Sequence, residues 1–161
     1  MRIDIFGNPN HHDFRDFLEH LYKSLAAQGC EVLTYEPFSQ AASTARESSE
    51  SARLFSTHHE LVGQADYLFS IGGDGTLLDT VSLVRDSGIP VLGINLGRLG
   101  FLSSIARDAT YKDIHYLLLG KVHIEQRSLL KLDLKGFPGF NYALNELSIL
   151  KEYPSSMLTI S

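Results

Sequence analysis

One acid stands among glycines in the run Gly72, Gly73, Asp74, Gly75, Thr76. Without a Cβ, Gly72, Gly73 and Gly75 let main-chain N–H groups converge on an anion, and phosphate suits such a turn. A carboxylate in the same place repels phosphate unless a metal or a substrate hydroxyl lies between them. The combination points to chemistry beside a phosphate rather than to anion binding alone, with Asp74 as the candidate proton acceptor. Residues 65–71 ahead of the turn read as a strand. A helix opens just after it, and its N-terminal dipole favours phosphate. Two other nucleotide motifs are excluded. There is no P-loop, and a dinucleotide fingerprint starting at Gly73 fails at its third glycine position, which Leu78 occupies.

Other residues with chemical potential are weaker. Asn145 and Glu146 are neighbours in a β-rich stretch, and adjacent residues of a regular strand face opposite ways. Both reach one ligand only if the strand bulges or ends there, or if one acts through its backbone. Glu146 suits a ribose, because an ionised carboxylate accepts from both hydroxyls of a diol. Asn8 reads as a turn residue, Arg98 as a surface-loop cation that could touch phosphate, and Asp79 as a cap residue. Phe101 fits either a core or a ligand-lining position. The pairs His11-His12 and His58-His59 lack metal-binding spacing, so no zinc site is expected and no residue is assigned as a metal ligand.

The elements that must position these residues alternate. Residues 2–6 form a strand. Phe14, Phe17, Leu18, Leu21, Tyr22 and Leu25 give one apolar helical face, which Gly29 ends. Residues 31–35 are a second strand. The Ser-, Ala-, Glu- and Arg-rich residues 39–56 read as an exposed helix or mobile excursion. Residues 65–71 are a third strand, Thr76 opens a helix with a capping-box-like pattern, and residues 90–95 are a fourth strand before a second glycine turn. This alternation predicts an α/β fold, a Rossmann-like parallel sheet with crossover helices, over residues 1–108. Both glycine turns follow strands and so lie at the carboxyl ends, where open α/β sheets bind ligands. Residues 109–161 are expected to hold a linking helix and the start of an incomplete all-β domain. Its stretches 122–134 and 140–150 flank a hairpin at 135–139. The apolar stretch at 157–160 runs to the terminus without a turn, so the chain reads as cut short.

Composition bounds the function. A chain of 161 residues makes one ordinary domain, or one and part of another. With 43% apolar and 20% charged residues it is not wholly disordered. A net charge of −5 argues against nucleic-acid or anionic-membrane partners. The single cysteine, Cys30, rules out an internal disulfide or thiolate zinc cluster and reads as packing. No apolar run reaches the ~18–20 residues of a membrane span, and the first residues read as a strand rather than a signal peptide. A cytoplasmic location is expected.

The turn from Gly72 to Thr76 resembles the kinase superfamily that holds NAD kinases, diacylglycerol and sphingosine kinases and, more distantly, phosphofructokinases. The second turn, from Gly93 to Leu102, closely resembles the matching segment of NAD kinases. Asn145-Glu146 resembles that family's asparagine–acid pair, and all three occur in the family's order. The resemblance implies ATP-dependent phosphorylation of the 2′-hydroxyl of the adenosine ribose of NAD, giving NADP, with a divalent metal such as magnesium. By position, Asp74 would take the hydroxyl proton, while Gly72, Gly73, Gly75 and Thr76 would cradle phosphates. Phe101 would line the NAD site, and Asn145 and Glu146 would bind the nucleoside. An aspartate is ordinarily a weak base, so proton transfer would run late, alongside phosphoryl transfer. The resemblance also implies a homo-oligomer, dimer or tetramer, which unfinished edge strands would favour. The family's later glycine- and threonine-rich nucleotide segment is missing. A lipid kinase of the same superfamily is the nearest alternative, disfavoured by the second turn and the Asn-Glu pair. A nucleotide-binding fragment without activity is the other.

Overall fold

The computed structural model describes residues 1–8, 15–39, 53–97, 100–102, 105–106, 110–137 and 139–148. Six strands form one parallel sheet: β1 (Arg2–Gly7), β2 (Glu31–Tyr35), β3 (Arg53–Phe55), β4 (Tyr67–Gly72), β5 (Val91–Asn95) and β6 (Ile105–Ala106). Their spatial order is β3-β2-β1-β4-β5-β6. The helices with both ends described are α1 (Arg15–Ala27), α2 (His58–Leu61), α3 (Asp74–Asp79), α4 (Val81–Val84) and α5 (Thr110–Leu118), and residues 36–39 are also helical. Two short antiparallel strands follow, β7 (Leu130–Lys131) and β8 (Tyr142–Ala143). The α/β sheet with the beginning of a β region is therefore as the sequence predicts.

Alternation along the strands builds two cores. Ile3 and Ile5 of β1, Val32 of β2, Phe69 and Ile71 of β4 and Ile94 of β5 share one core with Phe17, Leu18, Leu21, Tyr22 and Leu25 of α1 and with Ile114 and Leu117 of α5. Phe6, Leu33 and Leu68 belong to a second core with Phe55, Leu61 and Leu83. Each fully buried Leu, Ile or Phe contributes about 1.5–3 kcal/mol, so two covered faces fix the register firmly. Gly29, at φ 72°, ends α1 in the left-handed conformation. Cys30 is buried, as expected, and burial pushes its thiol pKa up, so it behaves as a small apolar side chain.

Strand order reverses between β1 and β4, and open α/β sheets bind ligands beyond the carboxyl ends at such a point. Register brings the critical residues to one edge. Gly7 pairs with Ile71, and Gly72 with Asn95. The first glycine turn thus leaves the sheet at the switch point, beside the exit of β5.

Several expectations change. Residues 53–55, read as part of an exposed excursion, form an edge strand paired in parallel with β2; residues 40–52 lie outside the described set. The helix expected from Thr76 begins at Asp74, with Gly73 as an extended N-cap that makes no side-chain bond. Its run to residue 87 is split, because Thr80 Oγ1 donates to the Leu77 carbonyl at 2.5 Å where α3 ends. The reciprocal cap lies instead at α2, where the Glu60 carboxylate accepts from the N–H groups of Ser56 and Thr57 and from the Thr57 hydroxyl. β7 and β8 pair antiparallel on either side of the expected hairpin, with Gly136 at φ 82° and the Phe137 N–H donating to the Leu134 carbonyl. Among the described residues its ladder is only two residues long per strand. Arg85 lies over the Phe140 ring, 5.4 Å from its centre, and docks the hairpin on the end of α4. Phe14, Arg98, His11, His12 and the stretch 157–160 lie outside the described residues.

Candidate functional site

The first glycine turn is shaped by two different demands. Gly72 has φ 155°, and a Cβ there would overlap the Thr76 side chain. Glycine alone lets Thr76, which is buried, tuck back against the end of β4. At Gly73 and Gly75 a Cβ would meet nothing within 4 Å. The space beside them is open, as an approaching anion needs. Asp74 is the first residue of α3, and the Gly73 carbonyl accepts the Leu77 N–H at 3.1 Å, which closes the first helical turn.

The second glycine turn comes directly to the acid. Asp74 Oδ2 accepts the Phe101 N–H at 2.7 Å, and Oδ1 accepts the Leu102 N–H at 3.1 Å. Gly100 lies flat against the same group, since a Cβ there would overlap Cγ and both oxygens of Asp74. The turn itself is folded back by Asn95, whose buried Oδ1 accepts the Gly97 N–H at 2.8 Å. The strands β4 and β5 thus deliver two loops that meet at one half-buried carboxylate. Charge-assisted bonds from main-chain N–H groups hold its plane in a defined orientation.

The predicted residues do not all gather at this point. Phe101 reaches Asp74 through its backbone, while its ring is fully exposed and so not part of the core. Asn145 and Glu146 are exposed and lie beyond the last paired residue of β8, so strand alternation no longer forces them apart. They line a cleft of about 550 Å³ whose opposite wall carries Leu78, Asp79 and Ser82. Asp74 is not among the described residues lining that cleft. Asp79 is exposed there, so its place facing Asn145 and Glu146 is something the sequence reading missed. Asn8 is half-buried at the exit of β1. His58 Nδ1 donates to the Leu83 carbonyl at 2.5 Å and ties α2 to α4, a structural duty. Among the described residues no three His, Cys, Asp or Glu side chains come together in a way that could hold a metal ion.

Residues 3–122 match the family model of the ATP-NAD kinase N-terminal domain. The chain is 32% identical to an NAD kinase of Flavobacterium psychrophilum over 164 residues, which cover 99% of this chain and 56% of that protein. It is 36% identical to an NAD kinase of Bacteroides fragilis over 163 residues, 99% of this chain and 55% of that protein. Among solved structures, yeast NADH kinase complexed with NADH shares the fold, with a TM-score of 0.70 at 20% identity over 89% of this chain and 46% of that one. The chain spans little more than half the length of these curated relatives.

Proposed function

The chain belongs to the ATP-NAD kinase family, and on that premise we propose that it is the part of an NAD kinase that carries the catalytic acid. The reaction moves the γ-phosphoryl group of ATP to the 2′-hydroxyl of the adenosine ribose of NAD. The ribose oxygen forms the new bond to phosphorus, the bond to the β-phosphate oxygen breaks, and ADP and NADP leave. Asp74 takes the hydroxyl proton. The observation that carries this reading is the Asp74 carboxylate at the switch point, oriented by the Phe101 and Leu102 N–H groups beside an open glycine turn. Because an aspartate is a weak base, positioning and phosphate electrostatics supply most of the acceleration.

Gly72, Gly73, Gly75 and Thr76 cradle phosphates in this reading, Phe101 borders the NAD site, and Asn145 and Glu146 hold the nucleoside. Magnesium fits as a companion of the nucleotide phosphates, its usual mode, since the described residues offer no preformed ligand group; bound there, it would neutralise charge on the transferring group. Residues 1–108 act as the nucleotide-binding unit, and 109–161 begin the β-rich unit that completes the NAD site. A cytoplasmic, homo-oligomeric enzyme fits the family. Among the described residues, no helix is long and apolar enough to cross a membrane.

The test is NADP formation from ATP and NAD by the wild type and by Asp74→Asn, with ADP release measured in parallel on sphingosine and diacylglycerol. Turnover on a lipid and none on NAD would move the chain to the lipid-kinase branch. A second reading, nucleotide binding without turnover by these 161 residues alone, is favoured by the separation of Asp74 from the cleft of Asn145 and Glu146. Calorimetric binding of NAD with no NADP formed, restored when the rest of the family length is present, would support it.

A further inference from the structure

We propose that Gly100 is a positioning residue for Asp74: its missing side chain makes the flat seat on which the carboxylate lies, and the Phe101 and Leu102 N–H groups fasten it there. The inference deepens the proposed function and rests on Asp74 as the proton acceptor. Three observations converge on it. Both carboxylate oxygens are held by successive main-chain donors, at 2.7 and 3.1 Å. The three atoms nearest to a Cβ at Gly100, each at 2.3 Å, are the carboxyl carbon and both oxygens of Asp74. Gly97, three residues earlier in the same turn, has ordinary room for a Cβ, whose nearest neighbour would be Asn95 Oδ1 at 4.0 Å.

The two glycines have different reasons to be glycine. Gly97 is not among the glycines with positive φ. At Gly100 the demand is space, and the atoms that would have to yield belong to the acting acid. An alanine there is accommodated by swinging a flexible side chain, not by breaking the sheet. Gly100→Ala therefore folds, but its Asp74 carboxylate leaves the two N–H groups and points elsewhere. A misplacement of about 1 Å at a reacting group costs on the order of a hundredfold in rate.

The test has a part that needs no turnover. Amide hydrogen exchange of Phe101 and Leu102 should be slow in the wild type and in Gly97→Ala. It should be fast in Asp74→Ala and in Gly100→Ala, with the protection of β4 and β5 unchanged in all four. Equal exchange in wild type and Asp74→Ala overturns the seat. The second part follows NADP formation in the chain carried to full family length. Gly100→Ala should lower kcat about a hundredfold with the KM for NAD little changed. The double variant Asp74→Asn/Gly100→Ala should be no slower than Asp74→Asn, within about twofold. Multiplying losses would mean that Gly100 acts through general damage, and the proposal falls. An inactive Asp74→Asn beside a normal Gly100→Ala removes the positioning role alone. Normal turnover in Asp74→Asn removes the proposed base itself.

Discussion

Two aspartates sit at opposite ends of the central strands, and they are held in opposite ways. Asp4, in β1, is fully buried and paired to the Arg2 guanidinium at 3.0 Å. Arg2 also reaches the Glu60 carbonyl and the Gln64 side chain, and its own N–H donates to Asp66. That knot closes the amino end of the sheet with side chains. Asp74, at the carboxyl end, is half-buried and held by main-chain N–H groups from a neighbouring loop. A buried carboxylate taken up on both oxygens by the Arg2 guanidinium makes Asp4 a stability element. Asp74 instead has both oxygens on main-chain N–H groups of one loop and lies next to an open turn.

The largest test of this contrast is Asp74→Asn. It should lower turnover by about 10²–10⁴-fold, the usual worth of a proton-transferring group, while the melting temperature stays near the wild type. Activity and thermal unfolding measured on one preparation check both halves. A large loss of stability would place Asp74 with Asp4 as a structural acid.

Asp4→Ala should do the reverse. Removing one member of a buried pair strands the other charge, at about 3 kcal/mol, which urea unfolding reads directly. Residual activity per folded molecule should be unchanged. The double change Arg2→Met/Asp4→Leu should recover most of the loss, because a buried ion pair is readily replaced by apolar packing.

The two ends also differ in how far the sequence reveals them. The apolar runs of β1, β2, β4 and β5 were readable to within about two residues, because two buried faces demand continuous Ile, Leu, Val and Phe. The edge strands β3 and β6 were not, since two or three residues carry no period. The start of α3 was missed because Gly73 caps it without a side chain. Asp74 stood out as an acid among glycines. Its partners did not, because Phe101 and Leu102 contribute main-chain N–H groups, which every residue but proline possesses. Only the glycines at 97 and 100 after a strand hinted at a close approach. Asn145 and Glu146 were read from resemblance, and their cleft with Asp79 depends on how the hairpin docks, which local sequence does not encode.

Gly72→Ala sharpens the contrast from the other side, as a carboxyl-end change felt in stability. The added Cβ meets the buried Thr76 side chain at φ 155°, and overpacking of this kind costs about 1–3 kcal/mol. Unfolding by urea should register that loss, together with weaker nucleotide binding as the turn shifts. Wild-type stability would mean that Thr76 rearranges freely and that the first turn is less tightly built than described.

The smallest effect is a difference in pH dependence between the Asp4 carboxylate of the amino-end knot and the Glu60 carboxylate that caps α2. Burial raises the Asp4 pKa above its ordinary 3.8, and Arg2 only partly opposes this. The folded state then takes up a proton at higher pH than the unfolded chain. The cost of the buried charge is complete above the folded pKa and gone below 3.8, so acidification through that window adds stability. Glu60 behaves oppositely. Hydrogen bonds from the Ser56 N–H, the Thr57 hydroxyl and the Thr57 N–H hold its pKa below the ordinary 4.5. Its contribution is present above 4.5 and is lost as pH falls through the lowered value. Urea midpoints measured from pH 7 to 3.5 should therefore diverge. Asp4→Asn should lose stability relative to the wild type as pH falls, because the wild type alone gains by protonation. Glu60→Gln, which can still cap α2, should gain relative to the wild type over the lower part of the same range. Parallel curves for the three proteins would mean that neither carboxylate is tied to folding through its charge, and the Arg2–Asp4 pair and the α2 cap would then be held by shape alone.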